Sequence, residues 1–266
     1  MDGGFNSFSD YDAAVQMGKV PGVTRVAGIG TRTIAAAITA TTAAQGIVAP
    51  EDIWVGASSI YPWSFADVPL EAISDNANDT AGGSGAQVLT ISGISSSYAV
   101  TTATNIPLNG NVGPVALGSH AHINVGNIGV TVPVSPNQTN IGTITIREVG
   151  TGTVRAIIPP GQRSIQQCVY RVPDGFFLNI FNIEIELLRA SGAATRGADF
   201  ALYFRFANGS YGRPRQIQCT DRAPFTLKAE TRIGIPARAD FATSCVYSSA
   251  NNITVGAAFE GHLYKI

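Results

Sequence analysis

Hydrophobic and polar residues alternate along most of the chain after residue 69, with the period of two that is typical of β-strands. Gly, Pro and Asn turn signals bound these segments at intervals of about 8 to 12 residues. The pattern predicts strands over residues 87–92, 98–108, 114–125, 128–134, 141–147, 153–158, 164–172, 176–189, 200–206, 215–220, 225–235, 241–247 and 253–264. No repeat of fixed period accompanies them, so the sequence predicts an all-β fold, a jelly-roll-like antiparallel β-sandwich.

The longest apolar run covers residues 176–189 and follows a strong turn signal, Pro173-Asp174-Gly175. Strict alternation would place the odd-numbered side chains from Phe177 to Leu187 on one face and the even-numbered ones from Phe176 to Glu186 on the other. Because the even set ends in Asn182, Glu184 and Glu186, the sequence predicts one core face and one face that becomes polar.

The first 68 residues have a different composition, rich in Ala, Thr and Gly, with bulky side chains gathered near Trp54 and Trp63. We interpret residues 1–68 as an extended N-terminal arm and residues 69–266 as the β-sandwich. The aromatic residues need a cover, either from their own sandwich or from a neighbouring subunit. Of the two tryptophans, Trp54 is predicted to anchor a subunit interface and Trp63 to belong to the core.

Charge is low and unevenly distributed: 13% of residues are charged and the net charge is −1. Residues 1–79 hold nine acids and three bases, residues 80–146 hold no charged side chain, and residues 147–266 hold fourteen bases and nine acids. The change near residue 147 leaves open a subdivision of the sandwich at that point. A chain this close to neutral has no overall field that would attract a membrane or specific nucleic acid, which favours a structural or binding protein.

A basic and aromatic cluster in the C-terminal half can be read in two ways. Arginines beside aromatic rings occur in single-stranded nucleic-acid sites and in subunit interfaces, and the near-neutral charge favours the interface. Together with the arm, the predicted interface residues are Val20, Pro21, Arg25, Ile53, Trp54, Arg205, Tyr211, Arg213 and Arg215.

No pattern in the sequence predicts catalysis, a cofactor or a metal. His120 and His122 would share one face of a strand, but they lack the further ligands that zinc needs, so a polar strand surface is the favoured interpretation. The three cysteines have no metal spacing and are read as small hydrophobic residues. Residues 75–85 look superficially like a calcium loop, but Ala77 stands where an oxygen ligand is required, so a flexible hairpin entry is expected.

Several short motifs, taken in order, resemble a recurring pattern in virion structural proteins of tailed bacteriophages, within a jelly-roll capsid decoration or cement-like family. The matching segments are Val20-Pro21-Gly22-Val23-Thr24-Arg25, Pro50-Glu51-Asp52-Ile53-Trp54-Val55-Gly56, Tyr61-Pro62, residues 74–93, Asn140-Ile141-Gly142-Thr143-Ile144-Thr145 and Val172-Pro173-Asp174-Gly175. One departure is Val55, since Ile-Trp is usually followed by Asp-Gly in that pattern.

The resemblance implies a capsid decoration protein that binds the outer shell in multiple copies and stabilises it. Its expected partners are the major capsid protein and copies of itself, as a homotrimer, and its expected location is the phage particle after synthesis in the bacterial cytoplasm. A tail, collar or baseplate component that contributes to host attachment is the alternative. The first five residues, Met-Asp-Gly-Gly-Phe, show neither the basic start nor the apolar core of an export signal.

Overall fold

The structure is a computed structural model that describes residues 13–34, 51–129, 139–189, 197–206, 211–220, 225–227, 233–248 and 253–266. A helical turn at 13–16 precedes the strands, and every strand pairing in this part of the chain is antiparallel. The predicted all-β fold class is confirmed. The strands are β1 (Val23–Ile34), β2 (Glu51–Asp52), β3 (Val68–Ser74), β4 (Val88–Ile94), β5 (Val100–Pro107), β6 (Val115–His120), β7 (His122–Gly129), β8 (Ile144–Glu148), β9 (Val154–Ile158), β10 (Val169–Arg171), β11 (Phe176–Arg189), β12 (Gly197–Phe206), β13 (Tyr211–Thr220), β14 (Phe225–Leu227), β15 (Ile233–Ile235), β16 (Ala239–Ser248) and β17 (Ile253–Lys265).

Two five-stranded sheets form the larger sandwich. One has the order β1-β17-β11-β14, with β15 also on β11, and the other has the order β10-β16-β12-β13, with β2 also on β16. Strands β2 and β10 can be counted as one strand beside β16, and β14 and β15 as one strand beside β11. The larger sandwich then has eight strands. Numbered 1 to 8 in chain order, they form one sheet in the order 1-8-3-6 and the other in the order 2-7-4-5. This order is jelly-roll-like, and the apolar side chains between the sheets form one core.

The edge strand beside β16 is divided into two pieces that are distant in sequence. After β2, the amide of Ile53 donates to the Thr243 carbonyl at 2.9 Å, and the Thr243 amide donates to the Cys168 carbonyl at 3.1 Å. The Cys168 amide donates in turn to the Ile53 carbonyl at 2.8 Å, and β10 continues along β16 from there. Residues 54–167 are therefore inserted into one strand of the larger sandwich.

The insertion contains a second sandwich with its own core. Its sheets have the orders β6-β3-β8-β9 and β5-β4-β7, and their facing side chains form a separate apolar cluster. The subdivision considered near residue 147 is wrong, because β8 passes through that position between β3 and β9. Instead, the chain crosses from the larger sandwich to the insertion after Ile53 and crosses back before Cys168.

The prediction of an extended arm is wrong for the described part of residues 1–68. Residues 1–12 and 35–50 lie outside the part of the chain that the structure describes. Strand β1 pairs with β17 over twelve residues, and Ile34 is buried in the larger core. Glycines allow this strand to lie close to the divided edge: a Cβ on Gly28 would come within 2.9 Å of the Gln167 carbonyl, and one on Gly30 within 2.6 Å of the Ile53 carbonyl. The small residues that suggested an arm are thus required by close packing.

The two faces predicted for β11 also need correction. Leu178 and Ile180 are buried in its first half, whereas Ile183 and Ile185 are buried in its second half. The pairing with β17 shifts between Ile180 and Asn182, so a β-bulge moves the inward-facing set from even to odd positions.

Candidate functional site

The segment that leads into the insertion is packed against its own chain. Ile53 and Trp54 are 0% and 1% exposed, and the Trp54 indole N–H donates to the Ser58 carbonyl at 3.1 Å. The prediction that these two residues anchor a neighbouring subunit is therefore corrected, since their surface is already covered within the chain. Trp54 also meets Tyr61 edge to face, with ring centroids 5.2 Å apart.

Aromatic rings continue from this segment to the inserted sandwich. Tyr61 lies edge-on to Trp63 at 4.8 Å and to His122 at 5.1 Å, while Trp63 stacks on His122 at 4.9 Å with an interplanar angle of 14°. His122 begins β7, so these contacts tie residues 54–67, which we call the linker, to the inserted sandwich. Trp63 is partly exposed, which makes it the outer layer of this stack.

An arginine–aspartate network lies beside the rings, on the larger sandwich. Asp240 of β16 accepts from Arg171 Nε at 2.5 Å and Nη2 at 3.0 Å, and from Arg205 Nη2 at 2.5 Å. Arg171 is 1% exposed and also donates to the Ser64 carbonyl at 2.8 Å, which holds the linker in place. Burial alone would lower the pKa of Arg171, but its hydrogen bonds and attraction to Asp240 outweigh this and raise the pKa.

Both guanidinium groups lie over aromatic rings. The Arg205 Cζ is 4.4 Å from the centroid of Phe65 and 4.9 Å from that of Trp63, and the Arg171 Cζ is 5.3 Å from that of Tyr98. Tyr98 has a φ of 64°, a left-handed backbone conformation that is unusual for a bulky residue. We call these residues the junction cluster: Trp54, Tyr61, Trp63, Phe65, Tyr98, His122, Arg171, Arg205 and Asp240.

The structure describes the side chains of only some of the remaining predicted interface residues. Val20 is half-buried, Pro21 is exposed, and Arg25 pairs with Glu260 of the neighbouring strand at 2.6 Å. Arg205 belongs to the junction cluster. Tyr211, Arg213 and Arg215 lie on β13, an edge strand of its sheet, but their side chains are outside the described part of the chain.

A groove of about 730 Å³ separates the two sandwiches on the side of β1. Its walls are β1 and β17 on the larger sandwich and β4, β7 and the start of β5 on the insertion. Ile29 and Val100 line it and are about half exposed, and among the described strands only β17 pairs with β1. Half-exposed apolar side chains beside an edge strand are features of surfaces that meet a partner.

The interpretation of His120 and His122 as a polar strand surface is wrong, because both side chains are buried. Ala121 separates β6 from β7, so the two histidines belong to different strands. His120 bonds through its ring nitrogens to the Thr101 hydroxyl at 2.7 Å and the Leu117 carbonyl at 2.9 Å. Burial, followed by the charges of nearby arginines, holds the pKa of His122 well below its usual value.

The loop predicted to be a flexible hairpin entry is organised around one buried carboxylate. Asp79 is 0% exposed and accepts hydrogen bonds from the amides of Ala86, Ile141 and Gly142 and from the Ser74 hydroxyl, at 2.7 to 2.9 Å. These bonds join the loop to the segment before β8. Asp79 stands among small residues in the sequence, but its distant partners could not be read from spacing.

Cys168 and Cys245 are buried cysteines that form no disulfide. Burial raises the pKa of the Cys168 thiol to about 12, and Cys245 is buried as well. The described residues contain no group of three or more His, Cys, Asp or Glu side chains arranged to hold a metal ion. Nor does this part of the chain include a helix of the length and apolarity needed to cross a membrane.

Comparisons with known proteins find no matching family model and no matching curated protein. Among solved structures, the chain is 10% identical to a chain of the infectious bursal disease virus Gt strain, with a TM-score of 0.17 and coverage of 95% of this chain and 77% of that one. A chain of the VP2 subviral particle of infectious bursal disease virus is also 10% identical, with a TM-score of 0.11 and coverage of 91% and 80%. Similarity at this level is weak, and it carries no argument about fold or function.

Proposed function

We propose that the chain is a structural component of a phage particle and that its main role is capsid decoration. The observation that carries the proposal is the jelly-roll-like strand order of the larger sandwich, an architecture used in viral capsid domains as well as in lectins and cupins. The resemblance of its short motifs to tailed-phage virion proteins favours the first of these uses.

Three of the motifs that carry the resemblance include turns or loops between strands of the two sandwiches. Residues 172–175 form the turn between β10 and β11, and residues 50–56 include the point where the insertion leaves the larger sandwich. Residues 74–93 contain the loop around Asp79. The resemblance therefore involves one point where the two sandwiches are connected, together with a turn of the larger sandwich and a loop of the insertion.

Decoration requires a surface for copies of the chain and a surface for the shell. The groove beside β1, with Ile29 and Val100 at its walls, is a suitable place for contact with another subunit. Each copy then needs only a modest interface energy, because many linked sites on a shell act together. In this proposal the partners are the major capsid protein and two further copies of the chain.

The proposal includes no catalytic role. A Cys168 thiol with a pKa of about 12 remains protonated at neutral pH, and the neutral His122 ring is enclosed by aromatic side chains. Cys168 packs in the core of the larger sandwich, and His122 packs between the rings of the junction cluster.

Quantitative mass spectrometry of purified particles tests the proposal. Decoration predicts a copy number that is a large fraction of that of the major capsid protein, in the hundreds for a shell of ordinary size. A count of about three, six or twelve would replace decoration by the tail, collar or baseplate role. Absence of the chain from intact particles would reject a virion role altogether.

A further inference from the structure

The loop after β5 contains an Asn-Gly pair, in which the glycine has no side chain to hinder attack of its nitrogen on the asparagine. The Asn109 side chain is exposed, whereas Gly110 is buried. Gly110 has a φ of 58°, and a Cβ there would come within 2.8 Å of the Ala77 carbonyl oxygen. The fold therefore requires glycine at this position and places it directly after an exposed asparagine.

The reaction of such a pair is an intramolecular acyl transfer. The backbone nitrogen of Gly110 attacks Cγ of Asn109, a C–N bond forms, and the side-chain amide leaves as ammonia with the proton that the nitrogen loses. Water then opens the five-membered imide and gives aspartate or isoaspartate. The reaction consumes only water, but the Gly110 nitrogen must lose its proton and turn towards Cγ.

In the folded protein that nitrogen is engaged in a hydrogen bond. The Gly110 amide donates to the Asp79 carbonyl at 2.8 Å, and the Gly110 carbonyl accepts from the Ser74 amide at 3.2 Å. On the other side of the pair, the Leu108 carbonyl accepts from the Ala81 amide at 3.1 Å. A buried and hydrogen-bonded amide is held away from the asparagine side chain, so the reaction requires local opening of these contacts.

The contacts that must open belong to residues 75–87, which connect β3 to β4 and which we call the Asp79 loop. The buried Asp79 carboxylate accepts four hydrogen bonds, from three backbone amides and the Ser74 hydroxyl. Hydrogen bonds to an ionised carboxylate are stronger than those between neutral groups. The same residue therefore anchors the loop through its side chain and shields Gly110 through its backbone carbonyl.

We propose that Asn109 is a deamidation site whose rate is set by opening of the Asp79 loop. The product places an ionised carboxylate in residues 80–146, a stretch that otherwise holds no charged side chain. Isoaspartate also adds a methylene to the backbone beside Gly110, which misaligns the hydrogen bond to Asp79. Modification consequently favours the open loop and weakens the inserted sandwich.

Peptide mass spectrometry after incubation of the purified protein at pH 8 measures the conversion of Asn109. Conversion should be slow in the folded parent protein and at least about tenfold faster in urea, where the loop is open. Asp79→Ala should accelerate conversion about tenfold without urea, because it removes the bonds that close the loop. Equal rates in the folded and unfolded parent protein, or no conversion in either, would overturn the proposal.

Ser74→Ala is the milder variant, because it removes one of the four bonds to the Asp79 carboxylate, and circular dichroism verifies that it is folded. Its conversion should be faster than that of the parent protein. Asp67→Ala is the matched control: Asp67 also accepts from a backbone amide, that of Ser96 at 2.7 Å, but it is exposed and lies outside the loop. Its rate should equal that of the parent protein, and equal acceleration by Ser74→Ala and Asp67→Ala would contradict the proposal.

Discussion

At the scale of single residues, the stability of the junction depends on the charge of Asp240. This carboxylate is 2% exposed and is the ion-pair partner of both Arg171 and Arg205. Asp240→Asn would leave Arg171 buried without a compensating charge, so we expect a loss of about 3 to 5 kcal/mol in the free energy of unfolding. Urea denaturation of the purified variant measures this loss.

Asp174→Asn is the control for Asp240→Asn, since it removes a carboxylate from a second arginine pair. Asp174 pairs with Arg238 at 2.8 Å, but both side chains are about half exposed. Water and salt screen such a pair, so its removal should change stability little. If the two variants were equally stable, the junction network would not have the role assigned to it.

The two tryptophans differ in burial, and the prediction that Trp54 anchors a subunit interface is wrong, because its side chain packs within its own chain. Trp54 is 1% exposed, whereas Trp63 is partly exposed at the edge of the junction cluster. Trp54→Ala should therefore lower the free energy of unfolding of the isolated protein by about 3 to 5 kcal/mol, and Trp63→Ala by less. Thermal and urea melts of both variants test the order, and a larger effect at Trp63 would contradict it.

His122 should make stability depend on pH. Its pKa is lowered by burial first and then by Arg171 and Arg155, so the folded protein holds it neutral while the unfolded chain protonates it near pH 6.5. Stability should consequently fall as pH decreases below about 6.5, by up to about 1.4 kcal/mol per pH unit from this group. Urea melts from pH 7.5 to pH 5 should show a smaller decline for His122→Phe, and parallel curves would reject this assignment.

At the scale of elements, the close approach of β1 to the divided edge strand depends on Gly30. A Cβ at this position would come within 2.6 Å of the Ile53 carbonyl and 2.9 Å of the Cys168 amide, and both are backbone atoms. Gly30→Ala should therefore shift β1 and destabilise the protein by about 1 to 3 kcal/mol.

Gly113→Ala is the matched control for Gly30→Ala, because the nearest atom to its added Cβ is 3.9 Å away and its φ is not in the left-handed region. The control should be neutral or slightly stabilising. Circular dichroism melts compare the two variants, and equal melting temperatures would argue against the tight crossing at β1.

The strands with strong apolar alternation were the elements that could be predicted from the sequence. The run at 176–189 corresponds to β11, and the segment at 153–158 corresponds closely to β9. Strand β1 was not predicted, because its many Gly, Ala and Thr residues give it no bulky apolar face. Two of its glycines, Gly28 and Gly30, lie close to backbone carbonyl groups instead. The bulge in β11 was also hidden, since it depends on the pairing with β17.

The junction cluster could be predicted only in part. Arg205 and the aromatic residues near Trp63 were recognised from their composition, whereas Asp240, Arg171 and His122 come from distant segments with no common spacing. One available signal was Asp240 itself, a charged residue directly before Phe241 in an apolar strand. Contacts between segments about 100 residues apart depend on the insertion, and nothing in the local pattern indicates where that insertion begins.

At the scale of the whole molecule, the chain consists of a jelly-roll-like sandwich with a second sandwich inserted into one edge strand. Two crossings connect them, and the junction cluster fixes the linker beside β7, β10, β12 and β16. In the proposed role, this arrangement gives each copy two sandwiches and a groove between them for contacts on the particle.

Electron cryomicroscopy of the intact phage particle tests the central claim most directly. The account predicts density for both sandwiches at regularly repeated positions on the outer shell, with the jelly-roll-like sandwich in contact with neighbouring copies of the chain. A reconstruction in which the shell lacks this density, or in which the chain occupies only the tail or a single vertex, would contradict the claim that it is a capsid decoration protein.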